Sequence, residues 1–270
     1  MRHATLALFA LAVIAAPLAA QSGEGTQPSI VLTIFAGAGT GHGLWTIAKQ
    51  PLQVLGTSQY DTLRLSQSVT PTIIAGFAAT YFPSAHLGLH AELSYVGLPV
   101  DGSCTGLFYN ADFENKNQQT CDDIQRSGSD GGSVAMFVGA TFRAASRGAI
   151  SPYARLNVGI INETRSTIEM SGSFVAAGAV GVREVLTDPN SRHAQPMVGA
   201  ALGFTRPISP GYQFRWEASD LVVSMNRAMG PGVPTAGAGA IPPVGSRLYH
   251  HFSLKLGLAV VLEKKRGRRY

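Results

Sequence analysis

The feature that most constrains this chain is the alternation of its joints. From Val69 to an apolar run ending near Leu262, short alternating apolar/polar runs are linked in turn by tight Gly/Pro/Ser connections and by long polar segments. Side chains of a strand point to opposite faces with a period of two. Hairpins with tight turns at one end and long loops at the other are the pattern of a β-barrel threading a bilayer. Such a barrel can be a scaffold, a pore, a receptor or an enzyme, so the pattern sets architecture before function.

Composition agrees. Only 14% of residues are charged, against ~25% in a typical soluble domain. Hydrophobic content is 45%, yet beyond the N-terminus no stretch is apolar over the ~18 residues a membrane helix needs. Apolar groups must therefore lie in a soluble core or face lipid on alternate strand positions. Met1 to Ala20 reads as an export signal, with Arg2 and His3 as a basic start and Leu6 to Ala16 as an apolar stretch too short to span. Cleavage after Ala20 leaves residues 21–28 as a short lead, and Gln21 offers no lipoprotein anchor. Cys104 and Cys121 share one polar loop, and an even count in an exported chain points to a disulfide. No His brackets them as a metal pair would require.

Eight strands are expected: Ser29 to Gly39, Thr70 to Phe82, His86 to Gly97, Ser133 to Arg143, Ser151 past Ile161, a sixth ending at Thr205, Gly211 to Ser224, and Arg247 to Leu262. The joints Pro83–Ala85, Ala144–Ile150 and Arg206–Pro210 are tight; Thr40–Ser68, Leu98–Gly132, Asn162–Gln195 and Met225–Ser246 are long. Within the third long joint, Ser166 to Val175 and Val180 to Leu186 have strand composition around Ala176–Ala179 and read as a hairpin projecting above the bilayer. Two further spanning strands are the alternative, but Thr164, Arg165, Glu169, Arg183 and Glu184 make a lipid-facing wall costly there.

Alternation sorts the faces. Leu87, Leu89, Ala91, Leu93 and Tyr95 oppose Gly88, His90, Glu92 and Ser94; Phe252 to Leu262 in steps of two oppose Ser253, Lys255, Gly257 and Ala259. The apolar sets are expected to face lipid and the polar, Gly-rich sets the lumen, since a narrow barrel favours small inward residues. Tyr81, Phe82, Phe142, Tyr153, Phe204 and Tyr212 by the short turns, with Tyr95 and Tyr249 by the long loops, read as interfacial girdles.

This parity puts Glu92, Arg155, Arg215, Glu217 and Lys255 inside. Charges in a narrow lumen must pair, because an isolated buried charge is prohibitive. The expectation is an ion-pair network that plugs the lumen, or, as the sharper alternative, a gate whose partners exchange. The remaining histidines show no metal-ligand spacing, and Gly37-Ala38-Gly39-Thr40-Gly41 lacks the Lys-Ser/Thr ending of a phosphate loop. No metal, cofactor or catalytic residue is expected.

On these residues the span from Ser29 to Leu262 resembles the small eight-stranded bacterial outer-membrane barrels, the outer-membrane protein A-like and X-like porin fold. In that family the last strand carries a signal read by the barrel-assembly machinery, which here looks like Lys255, Gly257, Val260 and Leu262. Where the family ends on an aromatic directly after the last strand, this chain continues through the basic tail 263–270, Glu263-Lys264-Lys265-Arg266-Gly267-Arg268-Arg269 before Tyr270. The resemblance implies an all-β, eight-stranded transmembrane barrel, monomeric, with periplasmic termini in a Gram-negative-type outer membrane. Its partners would be outer-membrane lipid and lipopolysaccharide, the assembly machinery and a ligand of the external loops; nucleic acid is not expected in that compartment. Structural or recognition work is the leading functional reading and a small gated channel the next. His251 and Ser253, two apart on one face, resemble the His-x-Ser pair of barrel-type lipid A deacylases and supply a third, a lipid-modifying enzyme.

Overall fold

The structure, a computed structural model, describes residues 28–263 apart from 111–113, 127, 129–130, 145–148, 165, 190–193 and 236–237. The export signal, nearly all of the lead, the basic tail after Glu263 and most of the Ala144–Ile150 joint lie outside the described residues. In chain order the strands are β1 (Ser29–Gly39), β2 (His42–Gln53), β3 (Tyr60–Val69), β4 (Thr72–Phe82), β5 (Leu87–Gly97), β6 (Val100–Phe108), β7 (Gly132–Arg143), β8 (Ser151–Glu163), β9 (Met170–Ala176), β10 (Ala179–Leu186), β11 (Ala194–Ser209), β12 (Tyr212–Ala228), β13 (Val233–Thr235), β14 (Ala238–Ile241) and β15 (Val244–Glu263). One helix, α1 (Lys116–Arg126), lies between β6 and β7.

Eight of these strands close a barrel in the order β1-β15-β12-β11-β8-β7-β5-β4, every pairing antiparallel. Registered neighbours traced from Leu32 run through Ala79, Ala91, Val138, Val158, Val198 and Val222 to His250. The direct partner of Leu32 on β15 is Val260. One turn of the wall thus climbs ten residues of β15, from Val260 to His250. That stagger tilts the strands and leaves an interior only wide enough for side chains.

The outer wall is apolar. Ile73, Leu202 and Leu156 are 72%, 67% and 66% exposed. A soluble barrel would bury these residues, so the exposed band is the lipid-facing surface of a membrane barrel. Tyr81, Phe142 and Tyr212 are exposed toward the short turns and Tyr95 toward the long joints. Phe82, Tyr153 and Tyr249 are buried instead, which corrects their place in the girdle. Phe82 follows outward Tyr81, Tyr153 shares the face of Arg155, and Tyr249 shares that of His251, so parity turns all three inward. Phe204 lies half-buried, stacked on Trp216 at 5.5 Å.

The tight joint expected at Arg206–Pro210 is smaller than that. β11 runs on to Ser209, and Pro210 with Gly211, at φ +80°, makes the turn to Tyr212. The left-handed backbone at Gly211 suits a residue without Cβ.

The long joints are a folded cap. β2, β3 and β6 form one sheet, and β13-β14-β10-β9 form a second. β9 and β10 pair in the cap and not in the wall, joined by Ala177 and Gly178, both at positive φ, as a two-residue hairpin turn of the mirror-image type requires. The barrel is therefore eight-stranded. β12 and β15 stay paired beyond it as far as Ala228 and Val244.

Candidate functional site

The five charged residues singled out by parity converge in the lower half of the lumen. Lys255 Nζ donates to Glu92 Oε1 at 2.8 Å, and Arg155 lies 3.2 Å from Glu92 Oε2. Arg155 and Arg215 both donate to Glu217, one to each carboxylate oxygen. Arg155 thus bridges the two acids. Two further residues complete the layer. Tyr153 Oη accepts from Arg215 Nε at 2.7 Å and donates to Glu217 Oε2 at 2.8 Å. Arg155 donates to His90 Nε2 at 2.6 Å, which leaves the ring proton on Nδ1 to meet Thr80 Oγ1 at 2.8 Å. The Asn157 amide, turned so that both its ends are satisfied, accepts from Arg155 Nε at 3.2 Å. Glu217 is 1% exposed and Arg155 2%, so each carboxylate depends on these donors for what water would otherwise supply.

The layer fits because the wall beside it is small. A Cβ on Gly203 would lie 2.5 Å from the Tyr153 hydroxyl. Lys255 also lies 4.9 Å from the centre of the Phe35 ring, close enough for a cation–π contact. Beneath the layer, toward the short turns, a vestibule of only about 40 Å³ ends on Tyr153 and Arg215.

Above the charged layer the lumen is largely apolar, with Ser94, Ser219, Ser253 and His251 among the inward polar residues, contrary to the expectation of a polar interior throughout. Phe35, Ile74, Phe137, Ile161, Met197 and Leu221 point inward and join one buried cluster with the cap residues Leu44, Ile47 and Leu65. Burying apolar inward side chains under a cap is favourable, whereas an open water-filled lumen would expose them.

The cap is pinned by Cys104 in β6 and Cys121 in α1, which form a disulfide with a Cα–Cα distance of 5.1 Å. Trp45 Nε1 donates to the carbonyl of Thr167 at 2.8 Å, tying the first long joint to the third. The fully buried Asp61 carboxylate accepts from Asn110 N and Asn117 Nδ2, each at 2.7 Å. The Gln50 amide bonds both backbone groups of Gly232, tying the first joint to the fourth.

The pair His251 and Ser253 does not assemble a nucleophile and base. Ser253 Oγ bonds Ser219 Oγ at 2.7 Å, while His251 Nε2 meets Thr72 Oγ1 at 3.1 Å and its Nδ1 has no partner. The nearest carboxylate on the adjoining strand, Asp220, faces outward and pairs with His250 at 2.8 Å. Among the described residues no group of three or more His, Cys, Asp and Glu could hold a metal. In the last strand, Lys255 and Gly257 face the lumen, while Leu262 is outward and Val260 half-buried.

No family model and no curated protein matches the chain. Solved structures do. The outer membrane protein OprG of Pseudomonas aeruginosa superposes with a TM-score of 0.50 at 10% identity, over 90% of this chain and 99% of that one. The chain has the fold of the small outer-membrane β-barrels. Neisserial surface protein A (TM-score 0.36, 11% identity, 86% and 96% covered) and AlkL in lipid bilayers (0.43, 12%, 92% and 95%) are also similar. Identities this low show the fold and nothing of the role.

Proposed function

We propose that this barrel is a closed outer-membrane scaffold whose work is done by its cap, as a surface-recognition protein with both termini at the periplasmic end. The observation that carries the reading is the double seal. A charged layer and an apolar layer fill the lumen one above the other, so the wall supplies a rigid base and no water path. A folded structure on a rigid base is where recognition usually resides. The last strand, with Lys255, Gly257, Val260 and Leu262, serves as the assembly signal in this reading. The apolar wall meets outer-membrane lipid and lipopolysaccharide, and the protein acts as a monomer.

The test is an epitope inserted in the exposed turn between β2 and β3, at Ser58, with antibody applied to intact cells. Labelling without permeabilisation is expected. Labelling only after permeabilisation would overturn the orientation, and with it the recognition role.

A further inference from the structure

Between the barrel mouth and the cap lies a cavity of about 670 Å³, within the range of small-molecule sites. Its wall is half apolar, from Val69, Leu98, Val100, Ile124, Met170 and Leu186. Its polar side mixes the hydroxyls of Thr164, Ser166, Thr167, Ser171 and Thr187 with two residues that hold unpartnered acceptors. Glu163, the last residue of β8, stands beyond the lipid-facing Ile160 and is only 8% exposed; its Oε1 has no hydrogen-bond partner. Gln67 of β3, 6% exposed and lining the same cavity, also leaves its Oε1 unpartnered. Exposed Glu169 and Glu184 add carboxylates at the rim, and the described lining contains no Lys, Arg or His. A buried acceptor without a donor is costly. Two residues that carry such acceptors line one cavity, and among its described lining residues the only charges are acidic, which suits a ligand that brings both donors and positive charge.

We propose that this cavity binds a small protonated amine with an apolar body. The ammonium N–H groups would donate to Glu163 and Gln67, and the body would lie against Leu98, Ile124 and Met170. A bare metal ion does not fit: a hard cation takes about six oxygen ligands, and no such cluster gathers among the described residues. A quaternary ammonium carries the charge but no N–H, so it leaves both acceptors unpaired. This ligand class deepens the recognition reading and rests on the cap facing outward.

The experiment is calorimetric titration of the full protein in lipid nanodiscs with 2-phenylethylamine, 2-phenylethanol and phenylethyl-trimethylammonium, with empty nanodiscs as blank. The primary amine should bind at least about tenfold more tightly than the other two, as a charge-assisted hydrogen bond implies. Glu163→Gln should erase most of that preference, and Gln67→Leu should reduce it. Heat-modifiable migration of each variant establishes that it has folded. Equal binding of amine and alcohol, no binding of the amine, or a Glu163→Gln protein that keeps the preference would each overturn the proposal. Since intact-cell labelling of the cap does not depend on any ligand, such a failure is separate from failure of the recognition reading.

Discussion

Arg155 is the residue on which the lumen turns. It reaches both acids, donates to His90, and is almost wholly buried. Arg215 holds Glu217 and Tyr153 at the edge nearer the short turns. Removing one partner of a buried pair leaves an uncompensated charge and costs about 3–5 kcal/mol. Arg215→Ala is therefore expected to lower the thermal unfolding temperature in detergent; unchanged melting would mean that the layer contributes nothing to the fold. Tyr153→Phe removes one neutral link from the layer and should cost less, about 1–3 kcal/mol, read in the same assay. The five charges were legible because strand parity alone assigns a face. Tyr153 and His90 were not read as members, although both sit on the same parity, because parity names a face and says nothing of which hydroxyl or ring reaches which charge. The apolar upper lumen was missed for a related reason. Phe35, Phe137 and Met197 break the small-and-polar inward pattern, and only the cap above them explains what keeps them dry.

At the scale of elements, the spanning strands and the hairpin of β9 and β10 are legible in the sequence, while the other cap strands fall in segments whose composition reads as loop. The signal for β3 was present: Leu63, Leu65, Gln67 and Val69 alternate with Arg64, Ser66 and Ser68, and the former set is buried. It was hidden by the expectation that long joints at one end of a barrel are irregular. In α1, Asn117, Thr120, Cys121 and Ile124 share the buried face, a helical spacing obscured by polar residue types. The disulfide joins this helix to β6, and closing a loop of this size is worth roughly 3 kcal/mol in the chain-entropy model. Cys104→Ser with Cys121→Ser should therefore speed amide exchange in β6 and α1 while leaving the barrel strands protected and the gel migration heat-modifiable. Mass spectrometry of non-reduced protein should find the two cysteine peptides linked; thiols freely alkylated without reductant would contradict the pairing. Gly203→Val, which drives a side chain into Tyr153, should impair folding far more than Gly43→Val, where the space is open; comparable folded yields would show that the wall does not depend on the close approach.

The whole molecule combines an apolar outer wall set by alternation, a stagger that narrows the interior, and a cap that closes over it. Circular dichroism in detergent should be sheet-dominated, and unboiled protein should migrate apart from boiled protein. A helical spectrum would contradict the architecture. The central claim is that the barrel is closed at rest, with the charged and apolar layers in series. Single-channel recording in planar lipid bilayers tests it most directly. Wild-type protein, inserted and verified as folded, is predicted to give no conductance steps; stable, ohmic openings of the wild type would contradict the account.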